Sequence, residues 1–388
     1  MDPTHVGPLD PFSLIPNEIL IYILSLSTFV ADPTQLASYL DRDTAFPFTA
    51  LLICKRWRDI IHNTPEIWGV AAIVSRPEGS SKLMEHVRRC GNNPLDLSIN
   101  MDMDVIGRHG FLSHLDRCHD RELLCKIKHV RMICQRKAFY STVVDMWRVV
   151  DAFNRLGVEL EGLEWIAIGS DGTPINRDNI ASVFLRAFER QKRLRLLHLS
   201  GLRFFIQQRM QMDPRPLHKL EVFVLDDCDA YTIDILSYAD MPVLHTLSIT
   251  CSDIPCLDPT MPSVTLSTGI VRIPSVQRLT LVHIPTLQDL TKILSSVPNV
   301  KHLTLGGRWT LEAFDNEVEG FIGQLESLKV MDLSTKIDMP MMKSVVAARM
   351  GTLQEVTLDF GRGEVPDVEE MEEFKWLQKH VTLTLFAR

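Results

Sequence analysis

LEWIAI at residues 163–168 and VKHLTL at 300–305 share an apolar-x-x-apolar-x-apolar pattern that returns through the C-terminal part of the chain. It also reads LRLLHL from 194, LEVFVL from 220, LHTLSI from 244, VQRLTL from 276, LKVMDL from 328 and LQEVTL from 353. Successive starts lie 31, 26, 24, 32, 24, 28 and 25 residues apart. Side chains two apart on a strand share a face, so each hexapeptide ends as a short β-strand with one apolar side. Helix-periodic segments follow some of them, at 286–297, 311–325 and 339–350. A single strand and helix cannot enclose a core, but seven or eight stacked units can.

This spacing resembles the leucine-rich repeat, whose period is ~20 to 29 residues. The resemblance implies a horseshoe solenoid with a parallel sheet. The repeats are degenerate, because the Asn or Cys expected after the strand appears only at Cys228. Earlier units are expected from a helix over 80–91 stopped by Gly91, from PLDLSI at 94–99 and from IKHVRM at 127–132. If the patterned residues face inward, the intervening ones line the other face of the sheet. That rule selects Leu196, His198, Val222, Val224, Asp226, Arg278, Thr280, His302, Thr304 and Asp332 among others. Leu196, Val222 and Val224 make an apolar cluster beside Asp226, and Arg308 and Trp309 follow a strand. Exposed apolar clusters, Trp and Arg all favour a binding surface. Leu196, Val222, Val224, Asp226, Arg308 and Trp309 are therefore the expected target-binding residues.

The N-terminal part has a different pattern. Pro16 suits a first helical turn, and Ile19, Leu20, Ile23, Leu24 and Leu26 follow at helical spacing, predicting a helix that ends near Thr28. A second, amphipathic helix is predicted over 46–61, and Asp32 before Pro33 can cap a short helix between the two. IPNEIL at 15–20, LLICKRWRDIIHNTP at 51–65 and EIW at 66–68 resemble the F-box family, especially its fungal members. Ile15 stands where that family has Leu, and the stretch from Val30 to Phe46 is longer than its usual connector. The resemblance implies that Pro16, Ile19, Leu20, Ile23, Leu51, Cys54, Lys55 and Trp57 contact the Skp adaptor of a Skp/cullin/F-box ubiquitin ligase.

The expected organisation is thus α/β: a tail at 1–11, a three-helix F-box at 12–70 and a leucine-rich-repeat-like solenoid at 71–388. The expected function is non-catalytic, docking the adaptor through the box and a target protein through the solenoid. The alternative is a scaffold that binds the adaptor without directing ubiquitination.

Composition narrows the remaining classes. The 388 residues are 45% hydrophobic and 23% charged with a formal charge of −8, an ordinary folded composition without the basic run that tracks nucleic acid. The start MDPTHVGPLDPF is unlike a secretory signal, and the most apolar segment, Ile19 to Ala31, is shorter than the ~20 residues of a membrane span. No Asn-x-Ser/Thr sequon occurs, and the eight cysteines form no CxxC pair, so reduced thiols in cytosol or nucleus are expected. His114, Cys118, His119, Cys125, His129 and Cys134 offer soft ligands but lack zinc-finger spacing, and packing is their expected role. Cys251 and Cys256 could approach in a loop, yet a disulfide is not expected in a reducing compartment. Asp226, Asp227 and Asp229 read as a solvated loop. GRGE at 361–364 lacks the third glycine of a dinucleotide loop, and neither a nucleophile elbow nor a P-loop occurs. No catalytic residue, cofactor, metal, nucleic acid or membrane partner is expected.

Overall fold

The computed structural model describes residues 14–27, 46–74, 77–101, 113, 121–135, 139–168, 175–176, 188–201, 204–205, 215–228, 230–251, 272–307, 323–331, 339–360 and 371–386. The architecture is α/β with a large parallel sheet, and the chain divides into two units, Met1–Leu160 and Glu161–Arg388. No helix among the described residues is long and apolar enough to cross a membrane.

The first unit opens with α1 (Asn17–Ser27), whose first turn is closed by the Leu20 N–H donating to the Pro16 carbonyl. The continuous helix expected over 46–61 is broken instead. A 3-10 turn, Ala50–Leu52, leads to Cys54 in extended conformation, and α2 (Lys55–Asn63) starts after it. Arginines tie the helix ends together: Arg58 Nε donates to Leu51 O at 3.1 Å, and Arg56 donates to Ile15 O and to Asn17 Oδ1. The short helix expected at Asp32 and Pro33 lies outside the described residues. A second 3-10 turn, Pro65–Trp68, then delivers the chain to β1 (Val70–Val74).

Strand β1 was not foreseen. It pairs in parallel with β2 (Leu95–Asn100), which pairs with β3 (Ile127–Gln135). Between the first two lies α3 (Pro77–Arg89), ended by Gly91 at φ +61°, where a residue with a Cβ is strained. Helix α4 (Phe139–Leu156) follows β3.

Trp68 ties these pieces together. Its Nε1 donates to Ile61 O at 2.8 Å, its ring meets Phe48 and His86 edge-on, and Arg89 lies over it at 4.8 Å. Leu20, Leu24, Ile60, Ile61, Ile67, Trp68 and Cys90 form one buried cluster. The boundary expected at residue 70 therefore runs through a shared core. His86 is buried against the Trp68 carbonyl at 3.2 Å. A carbonyl only accepts, so Nδ1 carries the proton of a neutral ring. Burial depresses the His86 pKa to about 4, with the hydrogen bond opposing it.

In the second unit nine described strands stand side by side in sequence order, all parallel. They are β4 (Gly162–Ile168), β5 (Leu196–Ser200), β6 (Val222–Cys228), β7 (Thr246–Cys251), β8 (Arg278–Val282), β9 (His302–Gly306), β10 (Ser327–Met331), β11 (Glu355–Asp359) and β12 (Thr382–Phe386). Register aligns their apolar residues into rows. Leu197, Phe223, Leu247, Leu279, Leu303 and Leu328 make one buried row; Leu199, Leu225, Ile249, Leu281, Leu305 and Val330 make another. Just before each strand one carbonyl accepts two N–H groups from the next: Glu161 O from Arg195 and Leu196, then Arg195 O from Glu221 and Val222, onward to Glu326 O. Side chains reinforce this column, with Arg195 bidentate to Glu221 at 2.8 Å and Lys301 to Glu326 at 2.8 Å. The hydrogen bond from Arg195 holds the Glu221 carboxyl below its ordinary pKa.

Two repeats are set differently from expectation. LEWIAI at 163 does not fill its slot, because Leu163 and Trp165 align with Leu197 and Leu199, so that repeat reads LEGLEW from 160. The second is at β10. LKVMDL at 328 does not fill the slot; Leu325, Leu328 and Val330 align with Val300, Leu303 and Leu305, so the repeat reads LESLKV from 325. Both frames satisfy the pattern and share Leu328, so periodicity alone could not choose between them. Ser327 and Lys329 consequently face outward, and Asp332 lies outside the described residues.

Helix α5 (Leu287–Ser296) matches expectation, and Thr286 caps it by accepting the Asp289 N–H at 3.0 Å. Helix α6 (Met339–Ala347) ends earlier than the predicted residue 350, and α7 (Glu372–His380) with β12 went unpredicted. Of the helix expected at 311–325, residues 323–325 are turn and loop and the rest lies outside the described residues.

The His86 environment sets a pH dependence. Its folded pKa lies below the unfolded value, so the unfolded state binds the extra proton as pH falls from 6.5 toward 4. Stability is expected to fall by about 3 kcal/mol over that window. Denaturant midpoints at pH 7 and 4.5 check this, and His86→Gln should flatten the slope.

Candidate functional site

Helix α1 carries two apolar faces. Leu20 and Leu24, one turn apart, are each 1% exposed and join the cluster around Trp68. Ile19, Tyr22, Ile23 and Leu26 recur at i, i+3, i+4 and i+7 on the other side and are exposed. Leu14, Leu52 and Ile53 are exposed as well, so among the described residues up to 53 seven large apolar side chains meet solvent, from 44% at Ile23 to 79% at Leu52. A helix apolar all round is normally buried all round. Arg56 and Asn17 hold α2 to the start of α1 at 2.7 Å.

The residues assigned to adaptor docking separate into two groups. Pro16, Ile19, Ile23 and Lys55 are exposed. Leu51, Cys54 and Trp57 are half-buried, with Leu51 and Trp57 packed against the cluster. Leu20 is internal, because the α1 turn that exposes Ile19 and Ile23 points it at Ile60, Ile61 and Trp68. Tyr22, Leu26, Leu52 and Ile53 had not been assigned. Their signal was present in the sequence, since α1 is too uniformly apolar for a helix with one wet side.

The second surface is the outward side of the second unit's sheet, where buried and part-exposed residues alternate along β5 to β9. Leu196, Val222, Val224 and Asp226 are half-exposed there, and register places Leu196 beside Val222 and His198 beside Val224. Arg278 and His302 are exposed neighbours, with Thr280 beside Thr304 one step along. Glu164 lies 3.7 Å from His198, and Lys329 lies 3.6 Å from Asp359. Arg308 and Trp309 lie outside the described residues.

The remaining candidates are described only in part. His114, Cys118, His119, Cys256, Asp229 and residues 361–364 lie outside the described residues. Cys125 is exposed, Cys134 and Cys251 are buried thiols in no disulfide, and His129 pairs with Asp96 at 2.8 Å. Asp226 and Asp227 are half-exposed, Asp227 at φ +48°. Among the described residues no group of three His, Cys, Asp or Glu side chains is placed to hold a metal ion. A scan against protein-family models matches none, and a search of curated proteins returns no match.

The two faces of α1 should separate by mutation. Ile23→Asp is expected to change stability by less than about 0.5 kcal/mol, as for other surface changes. Leu20→Asp buries a charge and is expected to unfold the first unit's core. Thermal unfolding of both variants checks the assignment.

Proposed function

We propose that this chain is a substrate-recognition adaptor of a Skp/cullin/F-box ubiquitin ligase. In this reading α1, α2 and the segment between them are an F-box that docks the Skp adaptor. The second unit is a leucine-rich-repeat-like solenoid whose outward sheet face holds the target. The observation that carries the proposal is the second apolar stripe of α1, Ile19, Tyr22, Ile23 and Leu26, left in water while Leu20 and Leu24 fill the core. Each such side chain gains ~1.5 to 3 kcal/mol when buried, so the stripe favours a partner that covers it. The F-box resemblance of residues 15–20 and 51–68 names that partner.

The protein's contribution to ubiquitin transfer is positional. Holding target and conjugating enzyme on one assembly replaces a chance encounter with an effective concentration set by geometry. The sheet face suits target capture because Leu196, Val222 and Val224 remain part-exposed while every neighbouring apolar row is covered.

Co-expression with a Skp adaptor tests the docking role. The full chain should co-purify with it, and Ile19→Asp combined with Ile23→Asp should reduce the yield of complex at least tenfold while leaving unfolding unchanged. Normal capture by the folded double variant would remove the docking assignment.

A further inference from the structure

The outward face of the second unit's sheet is graded in charge along the strand order. Asp226 lies at its first strands beside the apolar group Leu196, Val222 and Val224, where Glu164 faces His198 at 3.7 Å. Two strands further on the face turns basic at Arg278 and His302, with the hydroxyls of Thr246, Thr280 and Thr304 beside them. Asp226 and Arg278 are two strands and four residues apart, roughly 16 Å at ordinary sheet spacing, so they do not neutralise each other. Lys329 is occupied by Asp359 and Glu326 by Lys301. Arg278 is exposed and has no ion pair among the described residues. In its own row the next carboxylate beyond it is Glu355, three strands away.

From this order we infer that the face takes a peptide segment in polyproline II conformation running across the strands, with a large apolar side chain and an aspartate or glutamate three residues apart. The inference rests on the target-holding role proposed above for this face. The spacing follows from geometry: register puts Thr246 between Val222 and Arg278, so the apolar group and the guanidinium are about 10 Å apart at ~4.8 Å per strand. Three residues of polyproline II chain make one turn, span about 9 Å and bring both side chains to the same side. The apolar side chain covers Leu196, Val222 and Val224. The carboxylate accepts two parallel N–H bonds from the Arg278 fork, while the Thr280 hydroxyl offers a further donor. Asp226 repels an acid placed at the opposite end, so the segment binds in one direction.

Synthetic peptides immobilised in a Gly/Ser background test this, each carrying one Leu and one Asp with zero to five residues between them. A matched set has Lys in place of Asp, and both are probed with the full-length protein. Binding should peak near two intervening residues, and Asp should exceed Lys about tenfold, the scale of one charge-assisted hydrogen bond. Arg278→Glu should invert the preference, Arg278→Gln should abolish it without inversion, and Val224→Asp should weaken both sets. Equal binding of Asp and Lys peptides, a preference that survives Arg278→Glu, or no binding to any peptide would overturn the inference. Skp capture is measured on the same preparations. Loss of Skp capture with peptide selectivity intact would count against the ligase reading alone.

Discussion

Parallel pairing between consecutive strands is the constraint on which the second unit depends. A strand such as β8 has no partner within its own repeat, so its backbone groups are satisfied only by β7 and β9. The same neighbours cover its leucines. Order along the sequence thereby becomes order across the sheet, and residues 24 to 34 positions apart become lateral neighbours about 4.8 Å apart. The graded outward face is a product of this rule, since Val224, Ser248, Thr280 and Thr304 could not form a continuous row otherwise.

The repeat was legible because burial at three positions per unit leaves a sequence trace that no loop length erases. Strands β5 to β9 and β11 were readable from their hexapeptides, β4 and β10 were found three residues out of frame, and α5 was readable from the Thr286 cap. What stayed hidden had weaker or shared signals. VAAIV of β1 is a short apolar run without alternation, and such runs do not distinguish strand from helix. TLTLF of β12 alternates, but it ends the sheet, so Leu383 and Leu385 are only half-buried and the apolar residue that opens each other repeat is His380 there. At the N-terminus helical spacing located α1 correctly but could not say which of its apolar residues turn inward. That choice was made by Trp68, Ile60 and Ile61, which lie more than thirty residues downstream.

The first unit shows how a small helical segment gains a fixed attitude. Few residues separate Trp68 from β1, and the indole is held by α2 through its N–H and by α3 through His86 and Arg89. Movement of α1 and α2 against the first strands would have to pull this ring out of a cluster with no exposed surface at Ile61, Ile67 or Trp68. The exposed stripe of α1 is therefore presented on a rigid mount within its unit, which lowers the ordering cost of binding a partner.

The nine residues 325–333 contain two overlapping copies of the repeat pattern, and only packing selects the one used. Such a segment is a phase joint. If the loop before it gains or loses three residues, the alternative apolar set, Leu328, Met331 and Leu333, can occupy the same slots in the sheet. Repeat length can then drift during evolution without emptying the core, and intervals as unequal as 24 and 32 residues can coexist in one sheet. The cost of such a shift falls on the outward face, where Asp332 replaces Lys329 and a cation gives way to an acid.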